Sequence, residues 1–302
     1  KKLKDSGRSF YNGVLMAVIY STPICFVGYN FSSEIVLFYL DHPVSSIMAM
    51  EYTKILFVGL LFTSINFVFH GFLTGIEKTK IHLVIAISSN ALNAYLNAGL
   101  IYGSSGVLAF FQTKHPDLTF IAKLWAPFNF EALGVKGAAL GTVFSSLFSI
   151  FQYFIYTFFT KIRTLFKLFP FGLDTTMLKK QVRLALPMGV QEFALAIGWA
   201  FYLRIFSIIG IIEFATIHVI FSIMHASFMP AVGVGQACAT YVGKYLGEKK
   251  PKSAEDTIKE SIRISEYIMG TMGVLFIIFP KPIMMLFTSD VEILEMGEAG
   301  LR

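Results

Sequence analysis

Glu192 is the residue whose position most needs a chemical reason. It stands nine residues past Arg183 and five past Pro187 inside an apolar block, so at 1.5 Å per residue it lies ~13 Å beyond the last basic residue. Placing a charged side chain at the centre of a hydrocarbon layer costs about 2.5–3.5 kcal/mol on insertion-based scales. A carboxylate held there suits binding of a coupling cation or a cationic substrate, with Gln191 beside it as a further polar contact. The alternative is a structural acid bonded to a neighbouring helix or to water. Asn90, Asn93 and Asn97 fall at i, i+3 and i+7, on one face of a helix, where interhelical hydrogen bonding and ligand binding are both open. His218 and His225 are two turns apart, and His70 closes another block. Neutral imidazole can relay protons, but the spacing is not the i, i+4 pair of a helical metal site, and no metal is expected. Arg204, twelve residues beyond Glu192, is ~18 Å away along a helix and reads as a side chain snorkelling to the interface. Pro187 removes a backbone donor early in its helix and marks a possible bend for gating. Gly233 and Gly235, with Ala237 and Ala239, permit close helix approach, as packing or as a mobile seam; Gly134, Gly137 and Gly141 do the same for another block.

The elements that carry these residues are long apolar blocks at roughly 10–29, 52–74, 81–102, 137–160, 184–209, 214–243 and 264–287. Each is long enough to cross a hydrocarbon core that needs ~20 apolar residues. Positive charge crowds into alternate gaps: segments 1–8, 77–80, 161–183 and 244–263 hold 4, 2, 6 and 6 Lys and Arg, 18 of 25 in all. The positive-inside rule makes those segments cytoplasmic. Segment 103–136, with Pro116, Pro127 and several aromatics, is expected to form an external cap or to lie in the interface. The short bend Gly210–Glu213 sets the two helices around it antiparallel.

At 55% apolar, 16% aromatic and 15% charged residues, the chain lies far from an average soluble domain with ~25% charge. Its net charge of +6 flanks apolar blocks, so it points to anionic lipid headgroups and not to nucleic acid. The thirty-two Phe and twelve Met can line an adaptable apolar cavity, although core and lipid-facing positions claim many of them. Cys25 and Cys238 lie inside apolar blocks and imply no disulfide framework. Neither a metalloprotease helix, nor a nucleotide-binding Gly-x-x-x-x-Gly-Lys-Ser/Thr loop, nor a Gly-x-Ser-x-Gly elbow occurs, so the chain is not expected to be an enzyme or to drive its own pumping with ATP.

Sliding the chain on itself by 248 residues sets Lys1–Lys4 on Lys249–Lys252 and Ile35–Phe38 on Ile283–Leu286, with six apolar blocks between the copies. An even number keeps both copies in one orientation. The expected fold class is therefore all-α: a polytopic transmembrane helix bundle, a fragment of two six-helix lobes related by a parallel pseudo-two-fold. Residues 1–160 form a partial N-terminal lobe (helices three to six), 161–183 a cytoplasmic linker containing Pro170 and Gly172, and 184–302 a partial C-terminal lobe reaching the start of helix ten.

Three strings carry a family resemblance. The first is Gly134-Val-Lys-Gly-Ala-Ala-Leu-Gly-Thr, close to Gly-Val-x-Gly-Ala-Ala-Leu-Ala-Thr; the second is residues 230–247 with Ser253 and Ala254; the third is Phe72–Lys80 followed by Asn90–Asn93. Taken in their order along the chain, they resemble the multidrug and toxic compound extrusion (MATE) transporters. The resemblance implies secondary transport by alternating access: antiport of protons or sodium against drugs or other organic, often cationic, compounds, with no cofactor beyond the coupling ion. It also implies a multi-pass, monomeric protein of the plasma membrane, a bacterial inner membrane, whose partners are the bilayer and a small organic substrate. The family's first helix, with its acidic residue, is not in this sequence. The deep acid of one branch corresponds to Leu195, one turn after Glu192; Asn97 stands where many members have Asp, Glu77-Lys78 where Gly-Asp is usual, and Lys244 where Gln is usual. The alternatives are a flippase or exporter of lipid-linked sugars or anionic metabolites and, in another class, a non-transporting scaffold or receptor.

Overall fold

The computed structural model describes residues 2–39, 43–168 and 173–301; Pro170 and Gly172 of the expected linker lie outside them. Among the described residues twelve α-helices follow one another: α1 (Lys2–Asn30), α2 (Ser32–Tyr39), α3 (Pro43–Gly75), α4 (Thr79–Lys114), α5 (Thr119–Ala122), α6 (Val135–Phe159), α7 (Lys161–Leu165), α8 (Thr175–Ile209), α9 (Ile211–Gly247), α10 (Pro251–Ile278), α11 (Pro280–Met285) and α12 (Val291–Leu301). Seven of them, α1, α3, α4, α6, α8, α9 and α10, are long and apolar enough to cross a membrane, and each overlaps one of the blocks read from the sequence. The chain divides into two compact units, Lys1–Arg183 and Leu184–Arg302.

In the first unit α3 packs against α1 and α6, and α6 against α4. An apolar cluster closes one end of this bundle: Phe10 of α1, Phe69 and Leu73 of α3, Ile85 of α4, Tyr153 of α6 and Ile162, Phe166 and Leu168 in and after α7. Leu168 is fully buried, so this part of the expected linker is docked on the bundle. The base of α8 is tied to α1 as well. Asp174 caps α8, its Oδ1 accepting from the backbone N–H groups of Thr176 and Met177, both at 3.1 Å. Its Oδ2 pairs with Arg8 at 3.1 Å, and Asn12 Nδ2 donates to its carbonyl at 2.8 Å. Gln181 Nε2 donates to Ser9 Oγ at 2.8 Å. Arg8 and the cap hold the Asp174 carboxyl below the usual carboxylate range, the Met177 N–H being the largest cause.

In segment 103–136 the chain first continues α4 and then folds back on it. Helix α4 runs on to Lys114, broken at Gly103 (φ 73, ψ 163), a backbone region that favours glycine. The chain then folds back so that the Trp125 ring stacks on Tyr95 with centroids 5.0 Å apart. Trp125 Nε1 donates to the Tyr95 carbonyl at 2.8 Å, and Ser104 Oγ donates to the Trp125 carbonyl at 2.9 Å while accepting from Phe130 N at 2.8 Å.

In the second unit α9 packs against α10 and α12, with Ile220, Ile223, Met284, Leu294 and Leu301 as its buried core. Helix α8 sets Trp199 and Tyr202 against Phe221 of α9, ring centroids 4.3 and 5.4 Å apart. The apolar block expected over 264–287 is redrawn. Helix α10 begins at Pro251 and ends at Ile278, because Pro251 opens it, an i, i+4 pair Lys259–Glu255 braces its charged first turns, and Pro280 starts a separate helix. The repeat reappears in the elements. The 248-residue offset sets Asn30, the end of α1, on Ile278, the end of α10; Ser32, the start of α2, on Pro280, the start of α11; and Pro43, the start of α3, on Val291, the start of α12.

Candidate functional site

Helices α3, α4 and α6 each carry a stripe of small polar side chains at helical spacing, and the three stripes face one another. On α3 the stripe is Thr63, Asn66 and His70; on α4 it is His82, Ser89, Asn90 and Asn93; on α6 it is Thr142, Ser145, Ser146, Ser149 and Tyr153. Residues three, four and seven apart share a helix face, so each stripe lines one wall of a cavity of about 340 Å³. From His82 to Asn93 its lining spans twelve residues of α4, ~16 Å along the helix axis. Among the described residues no Asp, Glu, Lys or Arg lines it.

Hydrogen bonds stitch the walls together. Ser89 Oγ and Ser149 Oγ are 2.8 Å apart, Ser88 Oγ donates to Gln152 Oε1 at 2.8 Å, and Gln152 Nε2 donates to Ser89 Oγ at 3.2 Å. Asn66 Nδ2 donates to the Ser146 carbonyl at 3.0 Å, while its Oδ1 is buried with no hydrogen-bond partner among the described residues. His82 Nδ1 meets Tyr153 OH at 2.5 Å, and the His70 and His82 rings lie 3.8 Å apart by centroid, tilted by 32°. Such a lining can hold water, bind a hard cation through neutral oxygens, or take up a proton on imidazole.

The residues singled out from sequence divide between the two units. Asn93 lines the cavity. Asn97, one turn further on, donates through Nδ2 to Asn93 Oδ1 at 3.1 Å, and its own Oδ1, packed toward Gly141 of α6, is buried and unpaired among the described residues. Within the asparagine face the bond is intrahelical, since side chains at i and i+4 reach each other more readily than another helix; the interhelical bonds come instead from Asn66, Ser88, Ser89, His82 and Gln152. Gln191 and Glu192 lie on an exposed stretch of α8 with Pro187, through which the helix continues. His218 is exposed on α9. Gly233 and Gly235 have no atom within 4 Å of where a Cβ would stand, so no helix makes a close approach to them within the second unit. Sequence reading missed the serine stripe of α6 and His82. Both were detectable, the first by its spacing and the second because His70 and His82 stand equally far from Ile76 across the α3–α4 turn.

The MatE family model matches residues 1–98 and 187–302. The probable multidrug resistance protein NorM of Thermotoga maritima is 27% identical over 303 residues, covering 97% of this chain and 56% of its own length. The probable multidrug resistance protein YoeA of Bacillus subtilis is 23% identical, covering 95% and 56%. The chain thus spans about half the length of these relatives. Among solved structures, a MOP superfamily transporter from Pyrococcus furiosus superposes with a TM-score of 0.76 at 20% identity over 99% of this chain and 65% of that one. A multidrug resistance MATE family transporter in an outward-facing conformation gives 0.75 at 20% identity, over 99% and 64%. At that identity the likeness establishes the fold, a polytopic helical membrane bundle.

Proposed function

The chain belongs to the MatE family, and on that footing we propose that it serves in cation-coupled export of small organic compounds across a bacterial cytoplasmic membrane. The family relationship supports transport and not catalysis. The observation that carries the coupling is the cavity between α3, α4 and α6. Its polar groups are hydroxyls, amides and imidazoles, and Asn66 Oδ1 at its wall and Asn97 Oδ1 beyond it are acceptors without a donor among the described residues. A buried acceptor left unpaired costs about 1–3 kcal/mol, which water or a cation offsets. Sodium or a proton is the coupling ion on this reading. The substrate on this reading is a drug or other organic, often cationic, compound, in keeping with relatives named for multidrug resistance. Glu192 is its proposed anchor in α8, with Gln191 beside it; His218 is a further polar contact, and Pro187, Gly233 and Gly235 permit helix movement. Segments 1–8, 77–80, 161–183 and 244–263 face the cytoplasm, and the transporter works as a monomer in the bilayer.

The test is dye efflux from proteoliposomes of the complete protein under separate proton and sodium gradients. Efflux should follow one of them. Glu192→Gln should abolish it while leaving expression intact, and unchanged efflux in that variant would remove Glu192 from the mechanism. Absence of efflux under both gradients would reject the transport reading.

A further inference from the structure

We propose that His70 and His82 together form a binding site for one exchangeable proton at the inner end of the α3–α4–α6 cavity, with Tyr153 as its hydrogen-bond partner, and that loading this proton loosens the apolar seal beside it. The consequence for transport rests on the export reading above; the proton site itself does not.

The turn between α3 and α4 creates the pair. His70 and His82 each lie six residues from Ile76, so in an antiparallel helix pair both stand ~9 Å above the turn. Their rings meet at 3.8 Å, and both line the cavity. At that separation in a medium of low dielectric, a charge on one ring strongly opposes a charge on the other, so the pair takes up its first proton as a unit. The groups facing the pair are few. From α6 comes Tyr153, whose OH meets His82 Nδ1 at 2.5 Å. The neighbouring cluster includes Tyr11 of α1, on which Arg163 of α7 acts electrostatically. The turn carries Glu77, Lys78 and Lys80. With no carboxylate in the cavity lining among the described residues, the imidazoles are the proton acceptors that the cavity offers.

The step balances simply. A hydronium ion in cavity water gives its proton to a free imidazole nitrogen: one O–H bond breaks, one N–H bond forms, and water remains. With His82 doubly protonated, its Nδ1–H donates to the Tyr153 oxygen, and the Tyr153 O–H must turn to another acceptor. Tyr153 is 3% exposed and stacks on Phe69 with centroids 5.6 Å apart. Phe69 packs in turn on Phe10, within the cluster that includes Leu73 and Leu168. A charge on the imidazoles therefore appears where polar cavity meets apolar seal, and an unsolvated charge is driven toward the polar side. Proton loading is thereby linked to the packing between α3, α6 and the residues after α7.

Histidine-selective NMR of the complete protein in nanodiscs tests the site without any substitution. His70 and His82 should change together over one step that takes up a single proton, whereas two independent imidazole titrations would overturn the proposal. In proteoliposomes, efflux by His70→Asn and by His82→Asn should vary less than about two-fold between pH 5 and 8, the range in which histidine titrates. A wild-type pH profile in both variants would also overturn it. Tyr153→Phe, which keeps the ring and its stacking, should shift the His82 resonances without abolishing proton uptake by the pair; unchanged His82 resonances would overturn the role of Tyr153. A wild-type protein that shows the joint titration but no efflux under any gradient would reject the export reading and leave the proton site standing.

Discussion

Asp174 makes three kinds of contact: its side chain caps α8 through Oδ1 and pairs with Arg8 through Oδ2, and its backbone carbonyl accepts from Asn12. The cap and the pair separate by substitution. Asp174→Asn keeps an acceptor for the Thr176 and Met177 N–H groups and loses the charge, whereas Asp174→Ala loses both. The melting temperature of the detergent-solubilised protein should therefore fall further for alanine than for asparagine. The pH dependence has a definite sign. A carboxyl held below its ordinary value in the folded state stabilises fully above that ordinary value, about 3.9, and the contribution is lost as pH falls through the folded value. Docking of the α8 base on α1 should be indifferent to pH between about 5 and 7 and weaken only in stronger acid. Amide exchange at Thr176 and Met177 reads this directly. Exchange that quickened between pH 7 and pH 5, beyond the chemistry of free amides, would contradict the assignment.

At the scale of elements, the break in α4 is the part of the first unit most exposed to a single change. Gly103 sits at φ 73, and a Cβ there would stand 3.1 Å from Ala132 N and 3.2 Å from the Phe130 carbonyl, so Gly103→Ala meets both backbone strain and a crowded neighbour. Strain at such positions costs about 1–3 kcal/mol. Trp125→Ala removes a ring that is 8% exposed and should cost about 3–5 kcal/mol. Both should lower thermal stability, whereas Phe120→Ala, at 64% exposed on the same segment, should lower it far less. Equal losses from Trp125 and Phe120 would mean that the fold-back does not hold α4. The sequence shows why such a segment resists reading. Its apolar residues have no helical period, and the hydrogen bonds that fix it join Ser104, Trp125 and Phe130 across more than twenty residues. The seven long helices were legible because length and hydropathy determine them locally. The end of α10 was not, since the prolines at 280 and 282 interrupt an apolar run that composition alone extends. The candidate cavity was half legible: Asn93 showed itself as a polar residue in an apolar block, but serines on α6 read singly as tolerated small residues. Only the facing of three stripes makes them a lining.

For the whole molecule, the repeat and the charge distribution make one topological claim that can be measured. Long helix, short helix and next helix begin or end in register in α1–α2–α3 and α10–α11–α12 at the same 248-residue offset, as expected if one ancestral arrangement was copied. A copy that keeps its orientation must keep its basic flank on the same side, and both α1 and α10 are entered from Lys- and Arg-rich segments, 1–8 and 244–263. Two spanning helices, α8 and α9, separate 161–183 from 244–263, and two crossings return the chain to its starting face. The Arg8–Asp174 contact sets 1–8 and 161–183 on a common face by touch alone. Cysteines placed singly at 6, 78, 164 and 253 in a protein freed of Cys25 and Cys238 should therefore all react with a permeant maleimide and resist an impermeant one added outside intact cells, while a cysteine at 117 should react with both. Labelling of position 253 from outside, with 164 protected, would require an odd number of crossings between them. That would break the parallel copy, and the helices on either side of 161–183 would have to be inverted repeats, because a three-element motif can recur in register with reversed orientation only if its entry charge changes sides.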